Sequence, residues 1–327
     1  MAVQSGEEAG DRIGADQQAA ITVVIPAYRV GTLVSEALAS VLGQQRADWR
    51  AIVIDDGDPD VALHVDPYLA DPRVRLLQTD NAGVSVARNR AIAEANTPYI
   101  AFLDGDDVLD PDYCSVMIAA LEKDPKAGFV TGDAIYFGAD RDGELFSAYN
   151  PQAMPATLKR VLQRRFNIFA AATARREALA SVGGFQAGLT TSEDFDLWLR
   201  LLIAGWELAY VPRPVAQYRR RAGSASRDSA GMLRTALAVT MTARDALAGR
   251  PEAIAAEHMC VRLTHEIAIA AAFDRLKLAD RHAVRDAAKF LLAHGVAVRS
   301  PRLRAMLRLI RLLPACAPLM LALREKI

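Results

Sequence analysis

The chain has 327 residues, 52% hydrophobic, 24% charged and 6% aromatic, a globular composition that excludes a disordered protein and leaves room for one large α/β domain plus an appendage. Basic and acidic residues both number 39, so the formal net charge is zero and no nucleic-acid partner is expected. The charge is uneven: residues 230–327 hold 16 basic against 8 acidic residues, leaving 23 against 31 in residues 1–229. An acidic front half suits a metal site, and a basic back half suits an anionic surface or partner. Cys114, Cys260 and Cys316 are far apart and form no CxxC pair, so neither a disulfide framework nor a zinc site is indicated, and a reducing cytoplasm is expected. No uninterrupted apolar run approaches the ~20 residues of a membrane span.

The first segment, Met1 to Ala20, is polar and lacks an apolar signal core, so residues 1–19 read as a disordered tail without export. From Ile21 the pattern alternates strand and helix. Ile21–Ile25 is a β-branched run ended by Pro26, and Leu33, Ala37, Leu38, Val41 and Leu42 recur at helical spacing. Ala51–Ile54 and Val74–Leu77 read as strands, Val84–Ala95 as a helix and Tyr99–Leu103 as a fourth strand. Alternation of this kind implies βαβ units in a mostly parallel sheet, which binds ligands beyond the carboxyl ends of its strands. Pro26-Ala27-Tyr28, Asp55-Asp56-Gly57 and Asp104-Gly105-Asp106 all fall at such ends.

Asp104, Gly105, Asp106 and Asp107 carry the strongest chemical signal. Three carboxylates at one strand end repel one another and resist desolvation unless positive charge sits among them. A hard divalent cation with oxygen ligands is the usual remedy, and Mg²⁺ is typically shared between one or two carboxylates and substrate phosphates. The run therefore suggests a metal–diphosphate site. Residues 138–229 are less regular; they contain Gly183-Gly184-Phe185 and then a helix opening with Glu193, Asp194 and Asp196, for which Ser192 is the expected N-cap. After Gly231 an Ala-, Leu- and Arg-rich stretch reads as several helices broken at Pro251, Gly295 and Pro301, and Arg302–Leu323 has the composition of an interfacial helix.

Five segments in this order resemble the family 2 glycosyltransferases, inverting GT-A enzymes that use nucleotide-sugars. They are Val24–Tyr28, Ile54–Gly57, Asn81–Asn89, Phe102–Asp107, and Gly183-Gly184-Phe185 followed by Glu193–Trp198. The resemblance covers about residues 20–226. It implies a Rossmann-like, mostly parallel sheet flanked by helices over residues 20–229, with a nucleotide-sugar half over about 20–137 and an acceptor half over about 138–229. A helical extension over 230–327 lies outside it.

Residue by residue, the resemblance implies that Pro26, Ala27 and Tyr28 line the base and ribose and that Asp56 hydrogen-bonds the base. Gly83 and Arg88 flank the nucleotide, with Arg88 offsetting phosphate charge. Asp104, Gly105 and Asp106 match the DXD motif, Asp106 binding Mn²⁺ or Mg²⁺ and Asp104 the ribose or the metal. Asp194 matches the general base, with Glu193 and Trp198 on the acceptor side. The implied activity is transfer from a nucleotide-sugar, a UDP-sugar first, to a glycan or lipid-linked acceptor in cell-envelope polysaccharide biosynthesis.

Three positions depart from the family pattern. Arg29 stands where Asn usually follows the Tyr, Asp58 replaces Ser, and Arg221 replaces a His that can ligate the metal. Arginine cannot ligate a cation. Either carboxylates, phosphate and water hold the metal alone, or Arg221 contacts the diphosphate.

Other readings stay open at this level. Asp104–Asp107 also suits a solvated turn, Glu193-Asp194 a helix cap, and Trp198 and Trp206 the core. A nucleotidyltransferase would use similar acids but needs a Gly-rich basic loop that Pro26–Gly31 does not supply; a nucleotide- or glycan-binding scaffold needs no turnover. The C-terminal helices either pack on the catalytic domain or a second copy of the chain, extending the acceptor cleft, or rest peripherally on an anionic membrane.

Overall fold

The computed structural model describes residues 19–139, 141–221, 229–294 and 300–324. Residues 1–18 of the expected tail, the expected break at Gly295 and the Gly223–Ser226 segment lie outside the described residues.

In chain order the first half contains β1 (Ile21–Ala27), α1 (Leu33–Leu42), β2 (Trp49–Asp56), α2 (Pro59–Val65), β3 (Val74–Thr79), α3 (Val84–Glu94), β4 (Tyr99–Phe102), β5 (Val108–Leu109), α4 (Tyr113–Lys123) and β6 (Ala127–Gly138). The second half contains α5 (Phe146–Tyr149), α6 (Leu158–Leu162), β7 (Thr173–Arg175), α7 (Arg176–Ser181), α8 (Glu193–Ile203), β8 (Glu207–Arg220), α9 (Ser229–Ala246), α10 (Glu252–Arg275), α11 (Arg281–Ala293), α12 (Pro301–Leu312) and α13 (Ala317–Arg324).

The eight strands form one sheet in the order β3-β2-β1-β4-β7-β6-β8-β5. β3, β2, β1 and β4 run parallel, as the alternation of strands and helices requires. β7 is antiparallel to both β4 and β6, and β5 is antiparallel to β8. β1, β4 and the Ala51–Ile54 stretch of β2 are almost wholly apolar because helices cover both faces, while the edge strand β3 exposes Arg75 and Gln78. Val23 and Ile25 point into a core completed by Val34 and Leu38 of α1 and Met117 and Leu121 of α4. Val24, Ile52 and Ile54 point the other way, onto Ala87 and Ala91 of α3. A one-residue slip would exchange these faces, so the register is strongly fixed.

Two local expectations change. Pro26 does not end β1; it pairs with Ile54 inside the strand, which runs on to Ala27. Ser192 does not cap α8 through its side chain; its φ is 59°, in the left-handed region.

The β6–β8 pair, the longest in the sheet, is hidden in the sequence because Pro212 and Pro214 argue against a strand. The structure absorbs them at an irregularity, where the partner of Gly132 is Val211 and that of Asp133 is Pro214. Gly132 is required there, since a Cβ would stand 2.6 Å from Val215 Cγ2.

The Gly183-Gly184-Phe185 turn is clasped to α3. The Asn89 side-chain amide donates to the Phe185 carbonyl and its oxygen accepts the Phe185 N–H, each at 2.8 Å. The Phe185 ring then lies 5.1 Å from the Arg88 guanidinium and edge-on to Phe102. Gly184 has φ +69°, and a Cβ on it would come 2.5 Å from Asn89 Oδ1. Gly184→Ala is therefore expected to cost on the order of 2 kcal/mol, read as a thermal midpoint lowered by several degrees. An unchanged midpoint would refute this account of the turn.

The C-terminal helices do not form a separate lobe from their start. Ala236, Val239 and Ala243 of α9 and Ala256, Met259 and Leu263 of α10 enter the same core as Leu197, Trp198 and Leu201 of α8. Only from Ala272 does a second core begin, formed by Ala272, Leu276, Val284, Leu291, Leu307 and Ile310 among others.

Candidate active site

β1, β2 and β3 end nearly level, and β4 stops three residues short of the end of β1. Ala27 pairs with Asp55, and Phe102 of β4 pairs with Val24, so Asp104 emerges beside Pro26. Gly105 turns so close that a Cβ would lie 3.0 Å from the Pro26 carbonyl oxygen. Every residue expected to hold the nucleotide-sugar, from Pro26 to Asp106, lines a single cavity of about 530 Å³, together with Arg221.

Asp56 is buried, and its carboxylate accepts the backbone N–H groups of Ala82 and Gly83 at 2.9 and 3.0 Å. It thus anchors the loop that opens α3 as well as bordering the cavity. The departures at positions 29 and 58 meet each other: Asp58 caps α2 with one oxygen and accepts the Arg29 N–H at 2.7 Å with the other. Arg29 has φ 54°, and this bond holds it there.

The acidic run is met by three arginines. Arg88, buried, donates to Asp104 and to Glu193 at 2.7 Å each. Burial opposes its charge, but Asp104 and Glu193 more than offset this and raise its pKa. Both terminal nitrogens of Arg88 thus face carboxylates, where the sequence had suggested phosphate. Arg219 pins the turn, its N–H on Asp107 at 2.8 Å and its Nε on the Asp106 carbonyl at 2.7 Å. Arg221 Nε donates to Asp106 Oδ2 at 2.6 Å.

Positive charge is still short. Burial, and then the charge of Asp104, push the Asp106 pKa up despite Arg221. Asp107 is raised further, by burial and then by Asp104 and Asp106. Among the described residues no group of three or more His, Cys, Asp or Glu is arranged to hold an ion by itself. Asp104 and Asp106, each paired with an arginine, are carboxylates whose chemistry fits a hard cation completed by diphosphate oxygens and water.

Glu193 and Asp194 open α8 but face different spaces. Glu193, expected on the acceptor side, lines the nucleotide-side cavity and pairs with Arg88. Asp194 lines a second cavity of about 400 Å³. Burial, then the neighbouring Glu193, push its pKa up to about 7, while Arg88 and the Phe195 N–H act the other way. Trp198 borders this second cavity, but its ring is 1% exposed and stacks on Phe129 at 4.9 Å, as a core residue does.

Ser192 and Met232 line both cavities, so the two spaces adjoin. Met232, Leu233 and Ala236 of α9 and Met259 of α10 form one wall of the second. Sequence reasoning missed these residues because their helical recurrence reads equally well as core packing.

Three buried polar atoms around the nucleotide-side cavity lack partners among the described residues: Ser85 Oγ, Arg88 Nε and Thr191 Oγ1. Unmet donors beside the carboxylates of Asp104 and Glu193 suit a polyhydroxylated ligand, whose hydroxyls both donate and accept.

The model of the family described as Glycosyl transferase family 2 matches residues 22–183. A chondroitin synthase of Escherichia coli is 29% identical over 195 residues, 57% of this chain and 27% of that protein. The chain spans less than a third of the length of such curated relatives. Among solved structures, residues 1–349 of S. aureus TarS in complex with UDP-GlcNAc superpose with a TM-score of 0.64, at 16% identity, over 89% of this chain and 87% of that one. The Pyrobaculum calidifontis mannosyltransferase PcManGT, in complex with GDP-Man and Mn²⁺, gives 0.62 at 16% identity over 96% and 95%. At these identities the likeness establishes the shared fold.

Proposed function

Through residues 22–183 the chain belongs to glycosyl transferase family 2, and from that premise we propose that it is an inverting glycosyltransferase moving a sugar from a nucleotide-sugar to a glycan or lipid-linked acceptor. The observation that carries this reading is the pair of adjoining cavities. One gathers Pro26, Tyr28, Asp56, Asp104 and Asp106. The other presents Asp194. A donor in the first meets an acceptor in the second at Ser192 and Met232.

In this reading Pro26, Ala27 and Tyr28 hold the base and ribose, and Ser85, Thr191, Asp104 and Glu193 surround the sugar. Asp194 accepts the proton of the acceptor hydroxyl as that oxygen attacks the anomeric carbon. Attack opposite the diphosphate breaks the bond to the leaving oxygen, inverts the centre and leaves no glycosyl-enzyme intermediate. A base poised near neutral pH suits this step. Arg221 contributes fixed positive charge beside the leaving diphosphate. A divalent cation held by Asp104 and Asp106 would supply Lewis-acid stabilisation of the same charge. The Mn²⁺ in the complex of the Pyrobaculum calidifontis mannosyltransferase supports the use of a divalent cation. The relatives' UDP- and GDP-linked sugars make both nucleotides candidates, the UDP-sugar first.

Calorimetric titration with UDP and GDP, each with Mn²⁺ and with EDTA, tests the donor site, and release of the diphosphate from sugar donors tests turnover. Failure of both nucleotides to bind would overturn the reading, while binding without turnover would favour a scaffold. For the acceptor side, Met259→Trp is expected to raise the acceptor KM at least about tenfold while leaving nucleotide affinity unchanged, as filling a pocket of this kind predicts. An unchanged acceptor KM would remove the second cavity from the acceptor site.

A further inference from the structure

We propose that the tip of the C-terminal helical bundle is a docking surface for an anionic lipid bilayer. This goes beyond the catalytic reading and does not depend on it. Residues 276–324 contain 10 lysines and arginines against 2 aspartates. Helix α12 alone carries Arg302, Arg304, Arg308 and Arg311 and no acid. None of these four pairs with another described residue. Beside them stand three large apolar side chains open to solvent: Leu312 at 67%, Leu313 at 61% and Leu319 at 64% exposure.

The bundle's own packing does not require those leucines. Its core is made by Leu307, Ile310 and Ala317 against Val284, Ala287 and Leu291. Arginines without a partner among the described residues, beside exposed leucines, have one partner chemistry that satisfies both, a surface of anionic headgroups over an apolar interior. A second copy of the same tip would bring like charges together, and a nucleic acid would leave the leucines in water. No described helix is long and apolar enough to cross a membrane, so the contact is peripheral. The tip stands away from the catalytic cavities. Helix α10 carries Met259 in the acceptor-side cavity, and Leu276, which follows it, belongs to the bundle core; at 1.5 Å per residue they are roughly 25 Å apart.

Co-sedimentation with vesicles tests the proposal, using phosphatidylcholine alone and phosphatidylcholine with phosphatidylglycerol. Binding is expected only to the anionic vesicles, and is expected to fall between about 0.1 M and about 1 M salt, where the screening length shrinks from ~10 Å to ~3 Å. Arg308→Ala with Arg311→Ala is expected to lower partitioning about 30-fold, at roughly fivefold per arginine. Leu312→Ser with Leu313→Ser is expected to lower it also, without altering nucleotide affinity or helical content, which verifies folding. Equal binding to neutral vesicles, indifference to the arginine change, or no binding by folded protein would each overturn the proposal. So would concentration-dependent dimerisation lost in the leucine variant without any vesicle binding.

Discussion

Asp194→Asn is expected to abolish sugar transfer, lowering turnover by about 10³-fold, while leaving UDP or GDP affinity within about twofold. The magnitude is that of a positioned general base. The asymmetry follows from placement: Asp194 faces the acceptor-side cavity, and the nucleotide-side cavity is lined by its neighbour Glu193. The pH profile supplies a second readout. Asp194 titrates near 7, so it is protonated and inactive as a base below that pH and competent above it. Wild-type activity should therefore rise through neutral pH. A profile flat between about pH 5 and 8 would contradict the assignment, since an ordinary aspartate has a pKa near 3.9 and would already be ionised across that range. Single-turnover assays with calorimetry on the same preparations separate binding from chemistry.

Asp106→Ala is expected to weaken nucleotide-sugar binding and turnover together, by about 100-fold. It removes a half-buried carboxylate and leaves Arg221 without its 2.6 Å partner. An uncompensated charge-assisted contact costs about 1.5–3 kcal/mol, or roughly 10- to 100-fold. The companion change Arg221→Ala distinguishes two ways of neutralising the diphosphate. If Arg221 shares that charge, the variant binds UDP or GDP more weakly in EDTA than wild type does and recovers most of its affinity with Mn²⁺. If only the carboxylates and a cation matter, wild type and variant bind alike under both conditions. Titrations of the four protein–metal combinations decide it.

β1, β2 and β4 were readable because each holds a short apolar run between turn signals, and burial on both faces leaves little other use for such runs; β3, at the sheet edge, was readable from Val74, Leu76 and Leu77 despite Arg75. The strand-end acids were readable because like charges concentrated at one point require an explanation. β8 was not readable: two prolines mask it, and only its pairing with β6 and β5 makes it a strand. The partner of Asn89 was invisible for the same kind of reason, since the Phe185 backbone that it clasps lies 96 positions away.

The sequence by itself determined the parallel half of the sheet, the resemblance to a nucleotide-sugar enzyme and the identity of the residues that crowd its strand ends, because these are local patterns of polarity and charge. Only the tertiary structure decided how the charges pair. Arg88 bridges Asp104 and Glu193 and Arg221 meets Asp106, while the Arg29 backbone N–H donates to Asp58, across separations that no spacing rule relates. It also decided that adjacent Glu193 and Asp194 serve different cavities, and that α9 and α10 wall the second of them. Side chains one residue apart on a helix diverge by about 100°. Which space each one enters depends on what the rest of the chain packs against that helix.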